Sequence, residues 1–217
     1  MTRGMELLIQ ANEVREKGDF LKALQLDDEA TLELQKEGNL GKMAEAQAQR
    51  YLCFSLLYGK TDEKAYLMLA KNAAVSAVEI AESCGDKTVL AIPYFNLAKS
   101  YMSLGQYSQA VGAFEKALDN LTTNPPESHN RAGVMADFKI HLAEAEYLAG
   151  DKTAIDRLTK GISDLDASDE KEVSTYNYHV WKSGAFMSAA KLLKEDKPEL
   201  AKEYLQKAKG IIDSNPE

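Results

Sequence analysis

The sequence predicts an all-α fold, an α-solenoid of about five antiparallel helix pairs, on three observations. No segment alternates apolar and polar residues at period two with β-branched residues over a useful length, which removes the sheet. The turn-like positions Gly18-Asp19, Gly59-Lys60, Gly105-Gln106, Gly150-Asp151 and Asp196-Lys197 recur at steps of 41, 46, 45 and 46 residues, as a repeat array requires. Around those turns, large, small and aromatic residues return in one order.

That order predicts helices over 3–17, 20–37, 41–58, 62–83, 90–104, 107–121, 129–149, 152–165, 170–194 and 198–213. The third pair is the clearest: Tyr94, Leu97, Ala98 and Tyr101 precede Gly105, and Tyr107, Ala110, Phe114 and Ala117 follow it. Small residues at 98, 110 and 117 let two helices approach while the aromatics fill the space around them. In the first pair Ala11, Phe20, Ala23 and Ala30 fall where Ala98, Tyr107, Ala110 and Ala117 fall in the third. The second pair matches least, with Leu52 at the small position and Ala65, Leu69 and Ala73 fitting after an inserted residue. In the fourth, Leu142, Ala143, Ala154, Leu158 and Gly161 follow the plan with one residue deleted after the turn. The fifth offers Ala189, Ala201, Leu205 and Ala208, with Asp in place of Gly.

Local signals set the boundaries. Asp196 before Pro198 and Glu199 predicts a carboxylate cap with Pro in the first turn, and Asn124-Pro125-Pro126-Glu127 repeats that chemistry. Pro93 moves the start of its helix late. The last helix sets Leu200, Ala201, Tyr204, Leu205, Ala208, Ile211 and Ile212 on a face expected to be buried and leaves its lysines wet. With only short inter-repeat loops, at 124–127 and 164–172, residues 1–217 are expected to form a single repeat domain.

The Tyr94-to-Ala117 segment resembles a tetratricopeptide repeat, whose usual step is about 34 residues. Steps near 45 are similar to the extended repeats of bacterial peptide-sensing regulators and of kinesin-light-chain-like adaptors. The resemblance implies a right-handed superhelix whose first helices line a concave groove. Carried onto this sequence, the peptide-binding groove comprises Asn12, Arg50, Phe95, Asn96, Lys99, Met102, Ile140, His141, Glu144 and Tyr147, flanked by Leu8, Ile9, Gln49, Cys53, Leu56, Phe186 and Met187. The two-carboxylate clamp of chaperone-binding members is rejected. Leu8 stands where a Lys is needed, and Asp137 and His141 where cations are needed.

Composition narrows the function. With 34 acidic against 26 basic residues the net charge is −8, which opposes a phosphate backbone, so no direct nucleic-acid partner is expected. No apolar run reaches the roughly 20 residues of a membrane span, and no secretory core is visible, so the expected location is cytoplasmic, without membrane contact. Cys53 and Cys84 are expected to be reduced thiols packed as small hydrophobes. His129, His141 and His179 lie on separate repeats without metal-ligand spacing. No Gly-rich phosphate loop or nucleophile motif occurs either, so the sequence predicts no enzyme, no catalytic residues, no metal and no cofactor. Tyr176, Tyr178 and Trp181 form either a ligand wall or a plug against the fourth repeat. The function expected is a protein-interaction module holding a peptide segment of a partner, with a peptide- or ligand-sensing regulator that changes curvature as the alternative. The oligomeric state stays open at this level.

Overall fold

The computed structural model describes residues 1–215, and every regular element among them is helical. The chain divides into two units, Met1–Asn124 and a second that starts at Pro125. In the first, α1 (Arg3–Glu16) packs on α2 (Phe20–Lys36), α3 (Leu40–Thr61) on α4 (Lys64–Ser83), and α5 (Ala91–Ser103) on α6 (Tyr107–Thr123). The second pairs α7 (Ala132–Leu148) with α8 (Ala154–Asp166). A short α9 (Glu170–Val173) then leads to α10 (Thr175–Leu193), which pairs with α11 (Pro198–Ser214).

The joints follow from their residues. Gly18 has a φ of +83°, and beyond it the Asp19 N–H bonds the Val14 carbonyl at 3.2 Å, closing α1. Asp19 then starts α2, its carboxylate accepting the Lys22 N–H at 3.1 Å. Gly105, at +71°, repeats the closure, with the Gln106 N–H on the Tyr101 carbonyl at 2.9 Å. Successive pairs stack, α3 resting on α2 and α1, and α5 on α4 and α3. In the first pair Leu7, Leu8, Ala11, Leu26, Ala30 and Leu34 form one buried cluster, which Ala46 of α3 joins. In the third, Ala110 and Ala117 are fully buried at the helix crossing, as the small-residue order demands.

Six expectations need correction. Gly59 and Lys60 lie inside α3, and the joint is instead Asp62, whose φ of +56° ends the helix in the left-handed region. With α3 extended to Thr61, Ala65 and Leu69 are exposed, and the buried wall of α4 is Ala70, Ala73, Ala74, Ala77 and Ala81, with Val78. The helix expected over 170–194 breaks at Ser174, whose hydroxyl accepts the Asn177 N–H at 3.3 Å and so starts α10 afresh. Asp196 does not cap α11. That position is Lys197, without a side-chain bond, and Asp196 instead accepts the Tyr147 hydroxyl at 3.2 Å. Asn124 closes α6, its N–H on the Asn120 carbonyl at 2.8 Å, and α7 begins only at Ala132. Finally, Leu205 and Ile212 of α11 are not buried but 54% and 50% exposed.

One close approach organises the second unit. Glu170 is fully buried against Gly133 in the first turn of α7, where a Cβ on the glycine would lie 2.5 Å from the Glu170 Cβ. Its carboxylate stands 3.4 Å from the Arg131 guanidinium. Both of its carboxylate oxygens are buried without a hydrogen-bond partner among the described residues, next to the first turn of α7.

Candidate functional site

The first helices of the pairs carry the surface that the sequence assigned to binding. Met5, Leu8, Ile9 and Asn12 of α1 face Lys42, Glu45 and Gln49 of α3 across a cleft of about 270 Å³. Both sets follow three- and four-residue helical steps, so each is one continuous stripe. The α3 stripe continues through Leu52 and Leu56, which are 37% and 45% exposed, and Ile9 is 45% exposed on α1. Lys42 and Glu45 neutralise one another at 2.7 Å. The Oε1 of Gln49 is buried without a hydrogen-bond partner among the described residues. A buried acceptor left unpaired costs free energy that an incoming N–H would recover.

The ten residues named from the sequence divide. Asn12 lines the cleft, its Oδ1 accepting an Arg15 N–H at 2.5 Å. Phe95, Lys99 and Met102 are half-buried on α5, with Lys99 Nζ 5.5 Å from the centre of the Phe95 ring and Phe95 edge-on to Phe114 at 5.5 Å. Arg50 turns away to α2, pairing with Asp28 and lying over the Phe54 ring. Asn96 is buried, 6% exposed, because its position on α5 falls on the packed side of the helix. In the second unit Ile140 and Tyr147 belong to the core cluster shared by α7, α8, α10 and α11 and are 2% and 3% exposed. His141 lies on the α7 surface between Asp137 and Glu144, at 3.7 and 3.6 Å. The cleft thus gathers Asn12 with Leu8, Ile9 and Gln49, while Asn96, Ile140 and Tyr147 serve packing.

Tyr178 joins α10 to α8, its hydroxyl donating to Asp166 at 2.8 Å, and Lys182 pairs with the same carboxylate at 2.6 Å. Trp181 is half-buried and Tyr176 exposed. Among the described residues no group of three or more His, Cys, Asp or Glu side chains could hold a metal ion, and no helix is long and apolar enough to cross a membrane.

One charged residue escaped the sequence reading. Asp27 is fully buried in α2, and neither carboxylate oxygen has a hydrogen-bond partner among the described residues. The spacing that sets Ala23 and Ala30 on Ala110 and Ala117 sets Asp27 on Phe114, a large apolar slot. Burial pushes its pKa up to about 7, against the pull of Arg50 and Arg15. Burial first, and then the Asp27 charge, raise the Cys53 thiol to about 11.

Residues 91–124 match the model of the tetratricopeptide repeat. Over 98% of this chain and 95% of the other, the structure is similar to a single-substitution variant of a Podosopora anserina protein of nearly identical TPR-like repeats, named for the kinesin light chain, at 15% identity and a TM-score of 0.63. A second structure of that protein aligns over 99% of this chain and 98% of its own, at 14% identity and a TM-score of 0.62. BtubC (BKLC) from P. vanneervenii aligns over 98% and 83%, at 19% identity and a TM-score of 0.59. No curated protein matches the chain. The chain therefore has a TPR-like helical-repeat fold, with one segment that matches the repeat model itself.

Proposed function

We propose that this chain is a non-enzymatic protein-interaction module that holds a peptide segment of a partner against the first-helix face of its amino-terminal unit. The observation that carries the reading is the α1–α3 cleft. It combines exposed Ile9 with a buried, unpaired acceptor on Gln49, and exposed Leu52 and Leu56 continue the α3 stripe beyond it. Apolar side chains of a peptide cover the leucines, and a backbone N–H supplies the donor that Gln49 lacks. Lys99, beside Phe95 on α5, gives a cation for a peptide carboxylate or carbonyl.

Selection of a random peptide library on the purified chain, followed by calorimetry on the enriched sequences, tests this. Leu56→Glu should abolish binding, and Gln49→Leu should weaken it about tenfold, the value of one hydrogen bond of about 1.4 kcal/mol. Circular dichroism of both variants should match the wild type. Enriched peptides that bind the Leu56→Glu protein equally well would remove the cleft from the function.

A further inference from the structure

The uncovered face of α11 carries an interaction surface that the peptide reading does not use. Four residues beyond each small position of the crossing, a second helix has two slots seven residues apart; in α4 both are filled by alanines, Ala74 and Ala81, and in α2, α6 and α8 the occupants are large. They are Asp27 and Leu34 in α2, Phe114 and Leu121 in α6, and Leu158 and Leu165 in α8, all at most 2% exposed. The same spacing from Ala201 and Ala208 puts Leu205 and Ile212 in these slots of α11, where they are 54% and 50% exposed. The occupant such slots take is visible in the first unit. Ala46 and Met43 of α3 close over the cluster that holds Leu34, and Cys53 of α3 feels the charge of Asp27. The slots are thus a seat for the first helix of a pair.

We propose that this seat takes α1 of a second copy of the chain, so that copies associate head to tail. Charge selects the occupant. Lys202 and Lys209 interleave with Leu205 and Ile212 at steps of three, four and three residues, and so share their face of α11. On α1, Glu6, Gln10 and Glu13 are exposed on one stripe, where Glu6 also pairs with Arg3 at 3.5 Å, and its two carboxylates are seven residues apart, as the two lysines are. Registered on the left-handed joint residues Gly18 and Asp62, which end α1 and α3, Ile9 of α1 is the counterpart of Cys53. Ile9 therefore meets Leu205 while Glu6 and Glu13 reach the lysines. The two surfaces differ, so the contact does not close on a dimer and continues from copy to copy.

Sedimentation velocity of the full chain over a wide concentration range tests the proposal. The weight-average mass should climb from the monomer value of 23.9 kDa past that of a dimer. It should fall back at high salt, which screens exposed ion pairs. The double variant Leu205→Glu with Ile212→Glu should stay monomeric with an unchanged circular dichroism spectrum. Lys202→Glu with Lys209→Glu should also block growth, and mixing that protein with Glu6→Lys, Glu13→Lys protein should restore association between the two. A wild type that remains monomeric, growth that stops at the dimer, or association indifferent to these changes would each overturn the proposal. The variants lie outside the α1–α3 cleft residues used to test peptide binding, so the two readings fail separately.

Discussion

Replacing Asp27 with Asn should stabilise the protein in neutral solution and leave it nearly unchanged in acid. The carboxyl has an ordinary pKa of 3.8 when the chain is unfolded and about 7 in the fold, with burial the main cause. A raised acid pKa means that the folded state favours the protonated form. Below about pH 4 both states hold the proton and the residue costs nothing through ionisation. As pH rises towards 7 the unfolded chain releases its proton first, so stability is lost across that window and levels off above it. Each pH unit of the interval is worth about 1.4 kcal/mol, which sets an upper limit of about 4 kcal/mol. Asn keeps the shape and polarity but cannot titrate. Urea unfolding of both proteins, followed by far-ultraviolet circular dichroism at pH 4.5 and pH 8, gives the comparison. The advantage of the variant should grow with pH, towards that limit. A difference that is the same at both pH values would mean that Asp27 is ionised in the fold and that its burial has been misjudged.

Two further changes probe packing. Ala110→Leu should cost about 1–3 kcal/mol by overpacking the crossing of α5 and α6, where Ala110 is fully buried, and an unchanged melting midpoint would mean that the register of the third pair is wrong. Gly133→Ala should destabilise by a similar 1–3 kcal/mol or so, because its Cβ would lie 2.5 Å from the Glu170 Cβ. Pairing it with Glu170→Ala should recover part of the loss in calorimetric melts if the clash is the cause.

The helix pairs were legible because their signals are local. A glycine at positive φ followed by a capping carboxylate marks the α1–α2 joint in sequence as clearly as in space. The joint at Asp62 was hidden, since aspartate rarely adopts the left-handed region and Gly59, the obvious candidate, stays helical. The candidate site was harder to read for a geometric reason. A first helix in a repeat touches its own partner and the preceding pair, and a binding stripe occupies only the remainder of its circumference. Asn96 lies three residues before half-buried Lys99 and Ile140 one residue before half-buried His141, yet the rotation between them moves the first of each into the core. Asp27 was missed because residue type suggested solvent, whereas the repeat register, which was available, assigned it to the slot of Phe114.

The alanine wall of α4 bears on how this protein could be mapped by mutation. Ala70, Ala73, Ala74, Ala77 and Ala81 have already reached the size to which a scanning experiment would cut them. Such a scan would return silence from these five positions, which depend on close approach, and the silence would look like tolerance; on this helix Val78 is the buried residue it could still cut. No truncation can open a cavity at the five alanines, because there is nothing beyond Cβ to remove. Sensitivity runs in one direction only, towards larger side chains, each of which must push α3 or α5 aside. Over generations the same asymmetry would let small residues exchange freely along this stretch while excluding bulky ones.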